Sequence, residues 1–220
     1  MLTAVEIETG PAPSLAVIWL HGLGADGHDF EPIVPELKLG FAVRFVFPHA
    51  PVRPVTINGG MAMRAWYDIL GFDRKAREDD AGIRASATAV TALIDRELER
   101  GLHADRVVLA GFSQGGAIAL HTALREPRAL GGVIALSTYL SLAGTLAVER
   151  SAANERLPIF MAHGTSDNVL PLALGESSRR TLEAQGYAVE WHAYPMAHSV
   201  CREEVSAIGA WLTALPRIRS

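Results

Sequence analysis

Apolar positions along this chain gather into short compact runs that alternate with longer, spaced patterns. Ala16-Val-Ile-Trp-Leu20, Val43-Arg-Phe-Val-Phe47, Val107-Val-Leu-Ala110, Gly132-Val-Ile-Ala-Leu136 and Pro158-Ile-Phe-Met-Ala162 have the length and aliphatic character of buried strands. Val189-Glu-Trp-His-Ala-Tyr194 alternates apolar and polar side chains, as a partly covered strand does, and Ala4 to Thr9 reads as an edge strand. The spaced patterns are helical. Ile83, Ala87, Val90, Ile94 and Leu98 recur at three- and four-residue steps between Asp79 and Arg100, and Gly101 stops them. Further helices are expected from Gln114 to Glu126, from about Leu172 to Gln185, and from about Cys201 to Ala214, with a short one from about Asp29 to Leu37. Residues 48–78 follow neither period and carry Pro48, Pro51, Pro54 and Gly59-Gly60, so they read as a long irregular loop, which in a compact domain usually has a function. Strand–helix alternation of this kind predicts an α/β protein with a mainly parallel sheet flanked by helices on both faces. No repeat, low-complexity tract or linker divides residues 1–220, so a single domain is expected.

Composition narrows the class. The 220 residues are 49% hydrophobic and 20% charged, ordinary for a soluble globular enzyme. A net charge of −4 argues against nucleic acid or an anionic membrane as the main partner. The single cysteine, Cys201, rules out an intrachain disulfide and a cysteine-based zinc site, and reads as a packed thiol at a helix start. Residues 1–14 show no signal-peptide pattern, and no apolar run approaches the ~20 residues of a membrane span. A cytoplasmic protein with a small-molecule substrate is the expectation; a homodimer stays open.

The candidate chemistry sits at strand ends, where ligands bind in such sheets. Gly111-Phe-Ser-Gln-Gly115 is a G-x-S-x-G sequence between a predicted strand and a predicted helix. A nucleophilic serine on so sharp a turn occupies a strained backbone conformation, and side chains two residues to either side would collide there. A serine hydroxyl is a weak nucleophile at neutral pH and needs a histidine base oriented by a carboxylate. Asp167 is the only aspartate after Ser113, in the strand-end loop His163-Gly-Thr-Ser-Asp-Asn168. Three histidines compare as the base: His198 at a strand exit, His192 within the strand pattern, and His163 at the start of the Asp167 loop. His21 opens the first glycine-rich loop, ahead of the nucleophile, and reads as a loop-positioning residue. The order Ser113, Asp167, His198 is that of the α/β-hydrolase triad.

Together these segments resemble the compact carboxylesterase and acyl-protein thioesterase family of the α/β-hydrolase fold, in particular its small bacterial carboxylesterase branch. The matching stretches are His-Gly-Leu-Gly-Ala-Asp-Gly (21–27), Thr-Ile-Asn-Gly-Gly (56–60), Arg-Ala-Trp-Tyr-Asp-Ile (64–69), Gly-Phe-Ser-Gln-Gly-Gly (111–116), His-Gly-Thr-Ser-Asp (163–167) and Met-Ala-His (196–198). The resemblance implies Ser113, Asp167 and His198 as the triad, and the backbone amides of Leu23 and Gln114 as the oxyanion hole. Physics agrees with the second pair: one amide follows the nucleophile, and Gly22 and Gly24 let a neighbouring loop approach closely. The loop has neither the lysine of a P-loop nor the spacing of a dinucleotide fingerprint. Met-Arg-Ala-Trp (63–66) stands where many relatives have a proline and a serine before the tryptophan, a difference that bears on the rim of the acyl pocket.

These residues predict a serine carboxylesterase that needs no metal or organic cofactor. The same machinery cleaves thioesters and lysophospholipids, and a ligand-binding relative without catalysis is the non-enzymatic alternative. Ser137 to Pro158 leaves room for about one short helix, and Glu149, Arg150, Asn154, Glu155 and Arg156 make it polar. No large cap domain is therefore expected. The acyl site should be an open groove walled by Met63 and Trp66 from the 56–70 loop and by Val169-Leu170, suited to short and medium acyl chains.

Overall fold

A computed structural model describes residues 2–71 and 77–215. Among the described residues, nine strands and five α-helices follow in chain order: β1 (Ala4–Glu8), β2 (Leu15–Leu20), β3 (Val43–Pro48), β4 (Val52–Val55), β5 (Met61–Arg64), α1 (Asp80–Glu99), β6 (Val107–Phe112), α2 (Gln114–Arg125), β7 (Gly132–Leu136), α3 (Leu146–Glu149), β8 (Ile159–Gly164), α4 (Leu172–Ala184), β9 (Val189–Tyr194) and α5 (Arg202–Ala214). Seven strands form one sheet in the order β1-β3-β2-β6-β7-β8-β9. Only β1 runs antiparallel, against β3; the other pairs in that sheet are parallel.

Strand periodicity divides the interior into two cores, because alternate side chains leave opposite faces. Ile18, Leu20, Leu109, Val133 and Ala135 point toward α1, α2 and α4, with Ile83, Val90, Ile118 and Leu182 among their partners. Val17, Trp19, Val108, Ala110 and Ile134 point the other way, toward Ile208, Trp211 and Leu212 of α5. Covering both faces buries β2, β7 and β8 throughout and β6 as far as Gly111, which is why their sequences are apolar runs. Edge strand β9 is only half-covered, and its sequence alternates accordingly.

Two segments differ from the sequence-based expectation. The helix expected from Asp29 to Leu37 is instead two 3-10 turns, Glu31–Ile33 and Pro35–Leu37. Pro32 and Pro35 lack the amide hydrogens that an α-helical ladder would require there. Residues 48–78 are not structureless either. β4 and β5 pair antiparallel from Val52↔Arg64 to Val55↔Met61, and the turn between them places Gly59 and Gly60 at φ 66° and 78°. After this hairpin the chain dives inward, so that Ala65, Trp66 and Tyr67 are all buried.

No large cap lies between β7 and β8. The interval holds α3 and two 3-10 turns and is stapled to the body. Glu149 accepts from Arg125 Nε and Arg84 Nη2, both at 2.7 Å, and from Thr145 Oγ1 at 2.6 Å. Those bonds, the threonine's foremost, hold its carboxyl down at about 2.

The first turn of α5 contains a buried carboxyl, Glu204, with no well-formed hydrogen bond to either oxygen. Burial pushes its pKa up from 4.5 to about 8, against the pull of the Cys201 amide. Below the lower value both folded and unfolded chains hold this proton; between the two values only the folded chain does. Stability is therefore lost as pH rises through that window. Glu204→Gln is expected to match the parent in thermal melts near pH 4 and to exceed it increasingly toward pH 8. A melting difference independent of pH would contradict a neutral buried carboxyl.

Candidate active site

A sharp elbow forms at Ser113 because β6 stops at Phe112 and α2 begins at Gln114 with one residue between them. Ser113 takes φ 54° and ψ −121°, a conformation rare for any residue with a side chain. It is held from three sides: its N–H donates to Leu136 O at 2.8 Å, and its carbonyl accepts from Thr138 Oγ1 at 2.7 Å and Ala117 N at 3.1 Å. A Cβ on Gly111 would strike the Gly115 carbonyl, and one on Gly115 would strike the Leu20 and His21 carbonyls. Both motif glycines thus answer to close backbone approach.

Opposite the elbow, the loop after β8 supplies Asp167, which is buried. Its Oδ1 accepts the amides of Val169 at 2.9 Å and Leu170 at 2.8 Å. Its Oδ2 lies 2.7 Å from His198 Nδ1, and His198 Nε2 lies 2.9 Å from Ser113 Oγ. A carboxylate that only accepts calls for hydrogen on Nδ1, which leaves Nε2 bare to accept the serine proton. Phe112 backs the imidazole with ring centroids 4.7 Å apart. Ser113, Asp167 and His198 come from three separate strand ends and meet as one hydrogen-bonded chain.

Among the described residues no other histidine bonds Ser113, although His163 Nε2 comes within 3.5 Å of Asp167 Oδ2. His192 bonds Glu190 at 2.9 Å and stacks on Phe160 and Tyr194. His163 is buried and bonds the Leu170 carbonyl at 2.8 Å, bracing the Asp167 loop. His21 accepts the Ala50 amide on Nε2 at 3.0 Å and bonds Gly22 O through Nδ1 at 2.7 Å. Burial holds its pKa down, so it stays neutral and positions the loop. Cys201 is half-buried at the N-terminus of α5, and burial raises its thiol pKa, away from the reactive thiolate.

The Leu23 loop lies against the hairpin: Gly24 N donates to Arg64 O at 2.9 Å, and Met63 Sδ sits over Gly24. Neither the Leu23 nor the Gln114 amide donates to a group among the described residues. Leu170 is half-buried and Val169 exposed beside Asp167. Trp66 departs from expectation. Its side chain is 0% exposed, so it forms no open wall of a groove; the indole N–H donates to His21 O at 2.9 Å. Sequence reasoning also missed the Gln114 side chain, which is buried and clamps Trp66 N at 2.8 Å and Tyr67 O at 2.7 Å. Nothing in the residue pattern signals those bonds, because they join segments far apart in the chain.

A mainly parallel sheet flanked by helices, with a serine elbow on a central strand, defines an α/β-hydrolase, and the protein is a hydrolase of the ester and thioester class. The chain belongs to the phospholipase/carboxylesterase family, which it matches over residues 3–215. It is 43% identical over 214 residues to acyl-protein thioesterase 1 of Neurospora crassa, covering 92% of this chain and 87% of that protein. Acyl-protein thioesterase 1 of Cryptococcus neoformans is 35% identical over 229 residues, covering 96% of each. Among solved structures, Arabidopsis thaliana SOBER1 superposes with a TM-score of 0.85 at 32% identity, covering 90% of this chain and 97% of that one. Zea mays acyl-protein thioesterase 2 gives 0.84 at 28% identity, covering 96% and 99%. Both curated relatives are fungal thioesterases rather than the small bacterial carboxylesterases that the motifs suggest.

Proposed function

We propose that the protein hydrolyses carboxylic esters and thioesters with short to medium acyl chains through an acyl-enzyme on Ser113. The observation that carries this reading is the unbroken chain from Asp167 through His198 to Ser113 at 2.7 Å and 2.9 Å. His198 Nε2 takes the Ser113 proton as Oγ attacks the carbonyl carbon, and Asp167 stabilises the imidazolium. The Leu23 and Gln114 amides receive the oxyanion at the N-terminus of α2, where the helix dipole favours negative charge. His198 then protonates the departing alcohol or thiol. Water repeats the cycle on the acyl-enzyme and releases the acid. Every catalytic group in these steps belongs to this chain, and water is the second reactant.

Thioester cleavage belongs in the proposal because the curated relatives are named acyl-protein thioesterases. The short interval between β7 and β8 supports an uncapped acyl groove, with Met63 beside the oxyanion loop and Leu170 beside Asp167 as its walls. Small-molecule esters in a cytoplasmic setting go with this reading. No described helix is long and apolar enough to cross a membrane.

A panel of esters, thioesters and lysophospholipids of graded length, compared by kcat/KM, tests this proposal. Each buried methylene adds up to about 0.8 kcal/mol, or roughly fourfold, until the groove wall ends. Activity should rise over short and medium chains and then level. Best activity on long-chain triglycerides, with a rate jump at the lipid interface, would contradict an open groove.

A further inference from the structure

The two amides that hold the oxyanion in the proposed mechanism come from separate segments: Leu23 from the loop after β2, and Gln114 from the first turn of α2. Their separation must be set by whatever joins those segments. β2 and β6 pair directly as far as Leu20↔Gly111, and beyond those ends one residue bonds to both segments. Trp66 donates its indole N–H to His21 O at 2.9 Å, at the root of the Leu23 loop. Its backbone N–H donates to Gln114 Oε1 at 2.8 Å, and Gln114 Nε2 donates onward to Tyr67 O at 2.7 Å. Trp66, Gln114 and His21 are all buried, so water cannot substitute for a lost partner. Ser86 Oγ bonds the Trp66 carbonyl, so the residue is tied at every polar group. The elbow also packs directly on this root, since a Cβ on Gly115 would strike the His21 carbonyl.

We propose that Trp66 and the Gln114 side chain form a strut that sets the spacing of the two oxyanion amides, acting as positioning residues rather than as a wall of the acyl site. The inference rests on the mechanism above, in which Leu23 and Gln114 hold the oxyanion. A bulky core residue serves packing whatever its hydrogen bonds. A strut needs the indole N–H and the glutamine amide in particular. The two roles therefore separate when those groups are removed and the hydrophobic volume is largely kept.

The variants are Trp66→Phe, which leaves His21 O without its donor, and Gln114→Met, which keeps the length of the side chain and removes both of its bonds. Trp211→Phe is the control: it trims a core tryptophan on the opposite sheet face. An error of about 1 Å in reacting geometry can cost on the order of 10²-fold. Trp66→Phe and Gln114→Met should each lower kcat by about 10- to 100-fold with KM within about twofold. The double variant should lose little more than the worse single one, because one strut is cut twice. Trp211→Phe should lose melting temperature but keep kcat.

A trifluoromethyl ketone gives a readout that packing alone would not move. Ser113 Oγ bonds its carbonyl carbon, the serine proton passes to His198 Nε2, and the C=O pair moves onto oxygen as a hemiketal oxyanion. Its affinity should weaken in the strut variants by the same factor as kcat. Affinity for an ether analogue of the substrate, which has no carbonyl, should stay unchanged. Normal kcat and ketone affinity in both variants, or equal loss in ketone and ether affinity, would overturn the strut and leave the mechanism standing. Failure of the ketone to add to Ser113 in the parent protein would overturn the mechanism itself, and the strut with it.

Discussion

Replacing Ser113 by alanine is expected to lower kcat/KM for esters and thioesters by about 10³-fold or more, with melting temperature at or above that of the parent. The size follows from the proposed mechanism, in which losing the hydroxyl closes the covalent route and leaves water to attack within the oxyanion site alone. The sign of the stability change follows from geometry. Ser113 makes its structural bonds through its backbone, to Leu136, Thr138 and Ala117, and its Oγ meets only His198 among the described residues. Alanine keeps all the backbone bonds. A fluorophosphonate should label the parent on Ser113 and leave the variant unlabelled. Turnover within tenfold of the parent would move the nucleophile to another residue.

Asp167→Asn is expected to cost about 10³- to 10⁴-fold in kcat while leaving the fold intact. The local bonding decides which way the new amide faces. Oδ1 of Asp167 accepts two backbone N–H groups, from Val169 and Leu170. An asparagine must keep its oxygen there, since its NH₂ would confront two donors. The NH₂ then faces His198 Nδ1, where the carboxylate now sits 2.7 Å away. A donor at that place strips the hydrogen from Nδ1 and drives it to Nε2, which then meets Ser113 Oγ as a donor and cannot take its proton. The imidazole is held in the wrong tautomer. His192→Ala should have a far smaller effect, because that ring bonds Glu190 at the sheet edge. Near-parental kcat for Asp167→Asn, or collapse of activity in His192→Ala, would contradict this assignment of the acid and base.

The parts of the fold legible in the sequence are those where one local rule governs. β6 and α2 could be placed because a doubly covered strand must be apolar throughout, and because the turn between them leaves no room for side chains at Gly111 and Gly115. α1 was legible because one face packs on the sheet, burying Ile83, Val90 and Ile94 at helical spacing. The β4–β5 hairpin was not, because its strands are four residues each, Pro54 interrupts the pattern and Val52, Ala62 and Met61 face solvent. Trp66 misled for a related reason. A large aromatic in an irregular stretch suits a pocket wall as well as an anchor, and only the tertiary bonds to His21 and Gln114 decide between them. Gln114 shows the same limit: its place after the serine draws attention to the backbone amide, while the side chain serves a segment that the sequence does not put beside it.

In the proposed mechanism catalysis passes through an ester bond to Ser113, a species that can be trapped. The parent enzyme would be mixed with a medium-chain thioester or activated ester and quenched within the first turnover by acid denaturation, which halts deacylation. Intact mass and peptide mapping then locate the acyl group. One acyl group per chain is expected, on the Ser113 peptide, formed as fast as the leaving group appears and absent from Ser113→Ala. Steady turnover with no acyl group on Ser113, or with the acyl group carried by Cys201, would contradict that mechanism.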